Sequence, residues 1–205
     1  MILGYKRREE ILEKYGLKRP ATFLVNDKEE ALKRAEEIGF PVVAKISSKK
    51  QLHRTEVGGV LVGLKNKKEL NEAFEKLSKI EDIEGVIIQK QIKGVELIVG
   101  AKRDEVFGPT VMLGTGGIMV ELFKDVSFRI APFEEKEALK MIEEIKGKKL
   151  LEGFRDMPII DKNKLANILV KTSKLAVEEN VKELDFNPII GNESGLYICD
   201  VKIAL

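Results

Sequence analysis

The chain has 205 residues, 43% hydrophobic and 34% charged, with 36 Lys and Arg against 34 Asp and Glu, a formal net charge of +2. A chain of this length and composition buries a core as one domain or two small lobes and is not disordered. The balanced charge, with no basic stripe interleaved with aromatics, argues against nucleic acid, and apolar runs such as Val57–Leu64 are too short to cross a bilayer. Met1-Ile2-Leu3-Gly4 carries no signal-peptide core, and the single cysteine, Cys199, permits no internal disulfide, which together read as a cytoplasmic protein.

Taken in chain order, Arg7–Tyr15 predicts a short helix stopped by Gly16. Asn26 reads as an N-cap with Glu29 completing a capping box. The helix that follows places Ala31, Leu32, Ala35 and Ile38 on one face and ends at Gly39-Phe40-Pro41. Val42–Ile46 reads as a buried strand. A polar stretch from Ser47 to Glu56 leads to Gly58-Gly59 and a second strand through Leu64. Asn66 caps a helix with Leu70, Ala73, Phe74 and Leu77 on one face, and Gly85–Gln91 is a strand. Val95–Arg103 and Glu105–Leu113 predict an antiparallel pair turning near Arg103-Asp104. After the glycine-rich Gly114–Gly117 come helices over Glu134–Lys146 and Lys162–Glu179, then strands near Val181–Phe186 and Leu196–Ile203. The order is α+β in two lobes, residues 1–92 and 93–205, joined near Gln89–Gly94, with a cleft between lobes as the natural ligand site.

Four constellations bear chemistry. Lys45 ends an otherwise apolar strand; it either snorkels to solvent or offers a cation to a nucleotide phosphate. His53 is the only histidine. It is either an incidental surface residue or a phosphoryl acceptor, with Lys49, Lys50 and Arg54 to steady the charge and Gly58-Gly59 to let the loop move. Asp185 and Asn187 alternate on a strand and so share a side. With Asp200 on the next strand they offer oxygen ligands suited to Mg²⁺ held alongside nucleotide phosphates, unless they form an exposed face beside an Asn-Pro turn. Gly114–Gly117 is either an anion-binding loop or a tight turn, and it fits neither a Walker A motif nor a dinucleotide fingerprint.

Together the segments Gly39–Ile46, Leu52–Val60, Phe107-Gly108-Pro109 through Gly117, Lys124–Arg129 and Leu184–Pro188 resemble, in order and over nearly the whole chain, the β subunit or fused β region of ADP-forming acyl-CoA synthetases of the acetate type. These are relatives of succinyl-CoA synthetase in the ATP-grasp superfamily. The resemblance implies an ATP-grasp fold, two α/β lobes with the nucleotide in the cleft between them. It implies a subunit that transfers phosphate between a phosphohistidine and ADP/ATP in the reaction acyl-CoA + ADP + phosphate ⇌ acid + ATP + CoA. It implies that Lys45 meets phosphates, that Gln89 and Lys90 in the hinge meet adenine, that Glu96 binds the ribose, and that Asp185, Asn187 and Asp200 hold Mg²⁺. His53 becomes a catalytic phosphate carrier, with Arg129, Gly116 and Gly117 near the phosphate path. The implied partner is an α subunit with the CoA-binding domain and its own phosphohistidine, through which the acid and CoA enter. Where the family has Lys-Ser-Asp after the histidine this chain has Arg54-Thr55-Glu56, and Lys90 stands where the family often has Glu. The rival expectations are a carboxylate–amine ligase that makes an acyl phosphate directly, for which His53 is dispensable, and a non-catalytic nucleotide-binding module.

Overall fold

A computed structural model describes residues 1–49, 57–117, 124–155 and 157–205. His53, with the rest of 50–56, lies outside the described residues, as does Ile118–Phe123. The chain divides into two compact bodies. One contains Ile2–Glu9 and Arg19–Gln91; the other contains Met1, Glu10–Lys18 and Ile92–Leu205. The division separates Gln91 from Ile92 and places Met1 and Glu10–Lys18 with the second half. Among the described residues no helix is long and apolar enough to cross a membrane.

The N-terminal body is built on a four-stranded antiparallel sheet of β1 (Thr22–Val25), β2 (Val42–Ser47), β3 (Val60–Leu64) and β4 (Gly85–Lys90), in the order β1-β4-β2-β3. Helices α2 (Lys28–Ile38) and α3 (Lys67–Leu77) pack on it. Their apolar stripes meet the inward residues of the sheet in one core of Ala31, Ala35, Leu70, Ala73, Phe74 and Leu77 with Val42, Ala44, Ile46, Val86 and Ile88. Strand β1 was not expected. Its four residues carry no alternating pattern long enough to read, and it forms by pairing with β4. The N-cap of α2 is Asp27 rather than Asn26, accepting from the Glu30 amide at 2.8 Å. Asn66 caps α3 as expected, accepting from the Glu69 amide at 3.0 Å. Helix α1 (Tyr5–Lys14) begins two residues earlier than predicted, and the division between the bodies runs through it.

The C-terminal body holds a six-stranded sheet in the order β10-β8-β5-β6-β7, with β9 on β8. Its strands are β5 (Val95–Asp104), β6 (Gly108–Thr115), β7 (Val126–Ile130), β8 (Glu183–Asn192), β9 (Gly195–Ile198) and β10 (Lys202–Ala204). The β5–β6 turn falls at 105–107, later than expected, because the Asp104 carboxylate accepts the amides of Val106 (2.8 Å) and Phe107 (2.9 Å) and fixes the reversal there. Helices α4 (Glu135–Glu144) and α5 (Lys162–Glu178) pack on each other and on the sheet, joined by a 3₁₀ segment at Lys146–Leu151. The end of the chain differs from expectation. Instead of two strands there are three, and Asp200 lies in the connection between β9 and β10 rather than on a strand.

Candidate functional site

Strand parity decides which candidate side chains meet. In the N-terminal body, Val42, Ala44 and Ile46 of β2 enter the core, so Val43, Lys45 and Ser47 project from the opposite face. Gln89 pairs with Val43 and with Thr22 and shares that face. Lys45 and Gln89 are only 3% and 2% exposed. The Lys45 ammonium donates to the Gln89 amide oxygen at 3.3 Å, while the Gln89 amide nitrogen donates to the Thr22 hydroxyl at 2.9 Å. A buried ammonium and a buried amide are thus oriented by one chain of hydrogen bonds. Thr22, which sequence reading passed over, belongs to this group.

Lys90, the next residue, points the other way. It pairs with core residue Val42, and its ammonium donates to the Gly39 carbonyl at 2.8 Å, at the C-terminal end of α2. A cation there satisfies an otherwise orphaned helix carbonyl and complements the helix dipole. The Lys90 side chain is therefore a helix cap and does not join Lys45 and Gln89.

In the C-terminal body the pairs Asp185–Gly100, Gly100–Met112 and Met112–Phe128 form one row across β8, β5, β6 and β7, all on one face. Lys202 of β10 extends the row beyond Asp185. The opposite face carries Val99, Ala101, Val111, Leu113, Leu184 and Phe186, all buried. Along β5, Glu96 alternates onto the same face as Gly100, roughly 13 Å away at about 3.3 Å per residue. Against Glu96 lies the glycine-rich turn. The Gly116 amide donates to the Glu96 carbonyl at 2.8 Å, and a Cβ at Gly116 would come within 2.7 Å of the Glu96 Cβ. Gly117 has φ +64, and a Cβ there would lie 3.8 Å from the Glu96 carboxylate. Glu96, Gly116 and Gly117 are brought together, and glycine is required for the approach.

Burial raises the pKa of Asp185, and the neighbouring Asp200 carboxylate raises it further, against the lowering effect of Lys202. The two carboxylates therefore interact unfavourably, and a cation between them would relieve both charges. Asn187 follows on β8 at a bulge, where Asn187 and Pro188, between Phe186 and Ile189, oppose the single residue Ile98 between Leu97 and Val99. Pro188 has no amide to give to the ladder there, and its carbonyl accepts the amides of Cys199 (3.0 Å) and Asp200 (3.4 Å). The bulge thus anchors the backbone that presents Asp200. Among the described residues no group of three or more His, Cys, Asp or Glu converges to hold a metal. Carboxylates such as Asp185 and Asp200 and an amide such as that of Asn187 are hard oxygen donors of the kind Mg²⁺ takes together with phosphate oxygens and water.

Arg129 does not belong with these acids. It follows Phe128 on β7 and pairs with the buried Val111, so it projects to the helix side of the sheet. There its guanidinium bonds Glu144 at 2.5 Å and Glu137 at 3.1 Å, both on α4. The pairing holds Glu144 well below the usual carboxylate range, at about 2, and raises Arg129 further. Parity and two carboxylates make Arg129 a strand-to-helix clamp in this structure, on the other face from the expected phosphate path. Sequence reading also missed Asp125. It is 3% exposed and accepts from the Thr115 hydroxyl (2.9 Å) and the amides of Lys146 (2.5 Å) and Gly147 (2.7 Å), tying the end of β6 to the 3₁₀ segment.

Two α/β bodies, each built on an antiparallel sheet with helices packed on it, are the architecture of the nucleotide-grasping class of fold. The family model described as an ATP-grasp domain matches residues 1–205, and the chain belongs to that family. It is 42% identical over 206 residues to acetate–CoA ligase (ADP-forming) I subunit beta of Pyrococcus furiosus, covering 96% of this chain and 89% of that one. It is 40% identical over 206 residues to acetate–CoA ligase (ADP-forming) II of Archaeoglobus fulgidus, covering all of this chain but only 30% of the length of that enzyme. Solved structures of the dinucleotide forming acetyl-coenzyme A synthetase 1 of Ca. Korarchaeum cryptofilum superpose on it. The complex with coenzyme A, Ca-AMPCP and HgCl⁺ has a TM-score of 0.91 at 39% identity, covering 100% of this chain and 93% of that one. The complex with coenzyme A and Mg-AMPPCP, whose phosphohistidine segment points towards the nucleotide binding site, has a TM-score of 0.83 at 42% identity, covering 99% and 92%.

Proposed function

We propose that this chain is the nucleotide-binding part of an ADP-forming acyl-CoA synthetase of the acetate type. In it phosphate passes between His53 and ADP while a partner carries the CoA chemistry. The observation that carries the reading is the sheet face of the C-terminal body, where Asp185, with Asp200 as its charged neighbour, shares a face with Glu96 and its glycine turn. The relatives' names and the nucleotide and phosphohistidine of the Korarchaeum complexes support it.

In this reading Glu96 accepts from the ribose hydroxyls, Gly116 and Gly117 leave room for the sugar and phosphates, and Gln89 meets the base. Asp185, Asn187 and Asp200 hold Mg²⁺, which when bound neutralises phosphate charge and takes its remaining ligands from phosphate and water. Lys45 places a second positive charge on the transferring phosphate. The transfer breaks the N–P bond of phosphohistidine and forms an O–P bond to the terminal oxygen of ADP, leaving neutral imidazole after proton uptake. In the forward reaction the acid and CoA are released from a partner α subunit that carries the CoA-binding domain and the first phosphohistidine.

The test is phosphate labelling. The chain is incubated with Mg²⁺ and γ-labelled ATP, with and without the candidate α subunit, and acid-labile, base-stable label is mapped. Label on His53, absent from His53→Ala with nucleotide affinity retained, is the expected result. Acyl-CoA-dependent ATP formation by His53→Ala at the wild-type rate would overturn the relay.

A further inference from the structure

Among the described residues the bulkiest of the fully buried side chains is a charged one, and the chemistry above makes no use of it. Arg8, on α1 in the N-terminal body, is 2% exposed. Its guanidinium donates to the Ser47 hydroxyl at 2.9 Å and to the Leu3 carbonyl at 3.3 Å. The Ser47 hydroxyl donates in turn to the Glu84 carboxylate at 2.9 Å. Glu84 then accepts the Tyr5 amide at 3.1 Å, at the first turn of α1, where amides lack helical partners and an anion is favoured. The backbone closes the same ring, since the Glu84 amide donates to the Ser47 carbonyl at 2.6 Å. Gly4 makes room for it: a Cβ there would sit 2.4 Å from the Glu84 carboxylate and 2.5 Å from the Lys49 side chain.

The ring closes on one point in the chain. Ser47 is the last residue of β2, and Ser48 is tied to the same turn through its hydroxyl, which donates to the Asp82 carbonyl at 2.8 Å. Two residues beyond Ser48 the chain enters the stretch that contains His53. On the return, the Gly59 carbonyl accepts the Ile46 amide at 2.9 Å, and Val60 pairs with Lys45. The stretch therefore leaves and rejoins the sheet on neighbouring rungs, and the departing rung is the one the ring holds. Stability alone gives a weak reason to bury the Arg8 guanidinium against a partly exposed Glu84, because an ionised group loses more hydration than an apolar residue of the same size. What the ring adds is a single defined geometry.

We infer that the Arg8–Ser47–Glu84 ring is a positioning device for the phosphate carrier, fixing where β2 releases the His53 segment so that the imidazole reaches the nucleotide. The inference rests on the His53 reading above. The three act through His53, and none of them touches the transferring phosphate.

The test uses the assembled enzyme, with its partner, well below its melting temperature. Ser47→Ala removes the bridging hydroxyl and leaves the buried Arg8 and the partly exposed Glu84 in place; Ser47→Thr restores it; Arg8→Met removes the charge. Labelling of His53 by γ-labelled ATP should slow about tenfold or more in Ser47→Ala, as a displacement of about 1 Å does to a reacting group, with nucleotide affinity by calorimetry unchanged. Ser47→Thr should recover most of the rate. If Arg8→Met does not fold, Ser47→Ala decides alone. Equal labelling rates in wild type and Ser47→Ala would overturn the inference, as would a loss that Ser47→Thr fails to rescue. Absence of His53 label in the wild type would instead overturn the relay itself.

Discussion

The two bodies handle buried charge in opposite ways. In the N-terminal body, Lys45 and Arg8 are each held in a run of hydrogen bonds, through Gln89 to Thr22 and through Ser47 to Glu84. In the C-terminal body, burial and the neighbouring Asp200 carboxylate raise the cost of ionising Asp185. One body holds its cations in hydrogen bonds of its own; the other stores a repulsion that a ligand can discharge. A half-buried pair of like charges is a poor choice for stability and a good one for a cation site.

The largest expected effect follows from removing that stored repulsion. Asp185→Asn should raise the melting temperature of the metal-free chain by a few degrees at most, because it removes one of two opposed charges. It should also abolish the extra stabilisation by Mg²⁺ with nucleotide and lower phosphoryl transfer by about 10² or more. Thermal denaturation with and without Mg-ADP measures the first two, and labelling the third. A variant less stable than wild type without metal would mean that Asp185 is structural, and the contrast between the bodies would fail.

The second test separates two lysines that the sequence placed in one site. Lys45→Met should weaken nucleotide binding by about tenfold, the loss of one charge-assisted contact of about 1.5 kcal/mol. Lys90→Met should leave affinity within about threefold and lower stability, since it uncaps α2. Calorimetric titration and melting of both variants decide it. Equal losses of affinity would bring Lys90 back into the nucleotide site.

Much of this was legible in the sequence. The helix stripes Ala31–Ile38 and Leu70–Leu77, the strand through Lys45 and the cap at Asn66 follow from spacing alone, because each rests on local periodicity. What failed was strand parity at single residues. Gln89 and Lys90 are adjacent in the sequence, as are Phe128 and Arg129, and which one faces the site depends on pairing with residues about fifty positions away or on a neighbouring strand. Strand β1 and the bulge at Asn187-Pro188 were invisible for the same reason: each is set by its partner strand. The ring of Arg8, Ser47 and Glu84 joins three distant segments, and no local signal announces it.

A third, smaller effect probes the backing of the glycine turn. Gly147 sits where a Cβ would lie 2.3 Å from the Thr115 Cγ2 and 3.0 Å from the Asp125 carboxylate. Gly147→Ala should cost about 1–3 kcal/mol through overpacking, or roughly 2–12 °C in melting temperature. It should also weaken nucleotide binding if the 3₁₀ segment braces the end of β6 beside Glu96. A full loss of stability with affinity intact would confine the brace to folding.

The smallest effect concerns the clamp on the helix side. Glu144 titrates at about 2 in the folded chain because Arg129 and the Ser127 hydroxyl hold its ionised form, against an ordinary value of 4.5. The unfolded chain therefore binds the proton first as pH falls. The clamp's stabilisation is fully present above about 4.5 and disappears as pH drops toward 2. Glu144 is about half exposed, so solvent screens much of it. Wild type and Glu144→Gln should differ in melting temperature by a few degrees at most at pH 6 and converge by about pH 2, with the gap shrinking in high salt. Arg129→Gln should show the same pH-dependent loss of stability and keep its phosphoryl transfer rate within about threefold. A rate loss of a hundredfold in Arg129→Gln, with the fold intact, would mean that the arginine leaves its carboxylates during turnover and serves the opposite face after all.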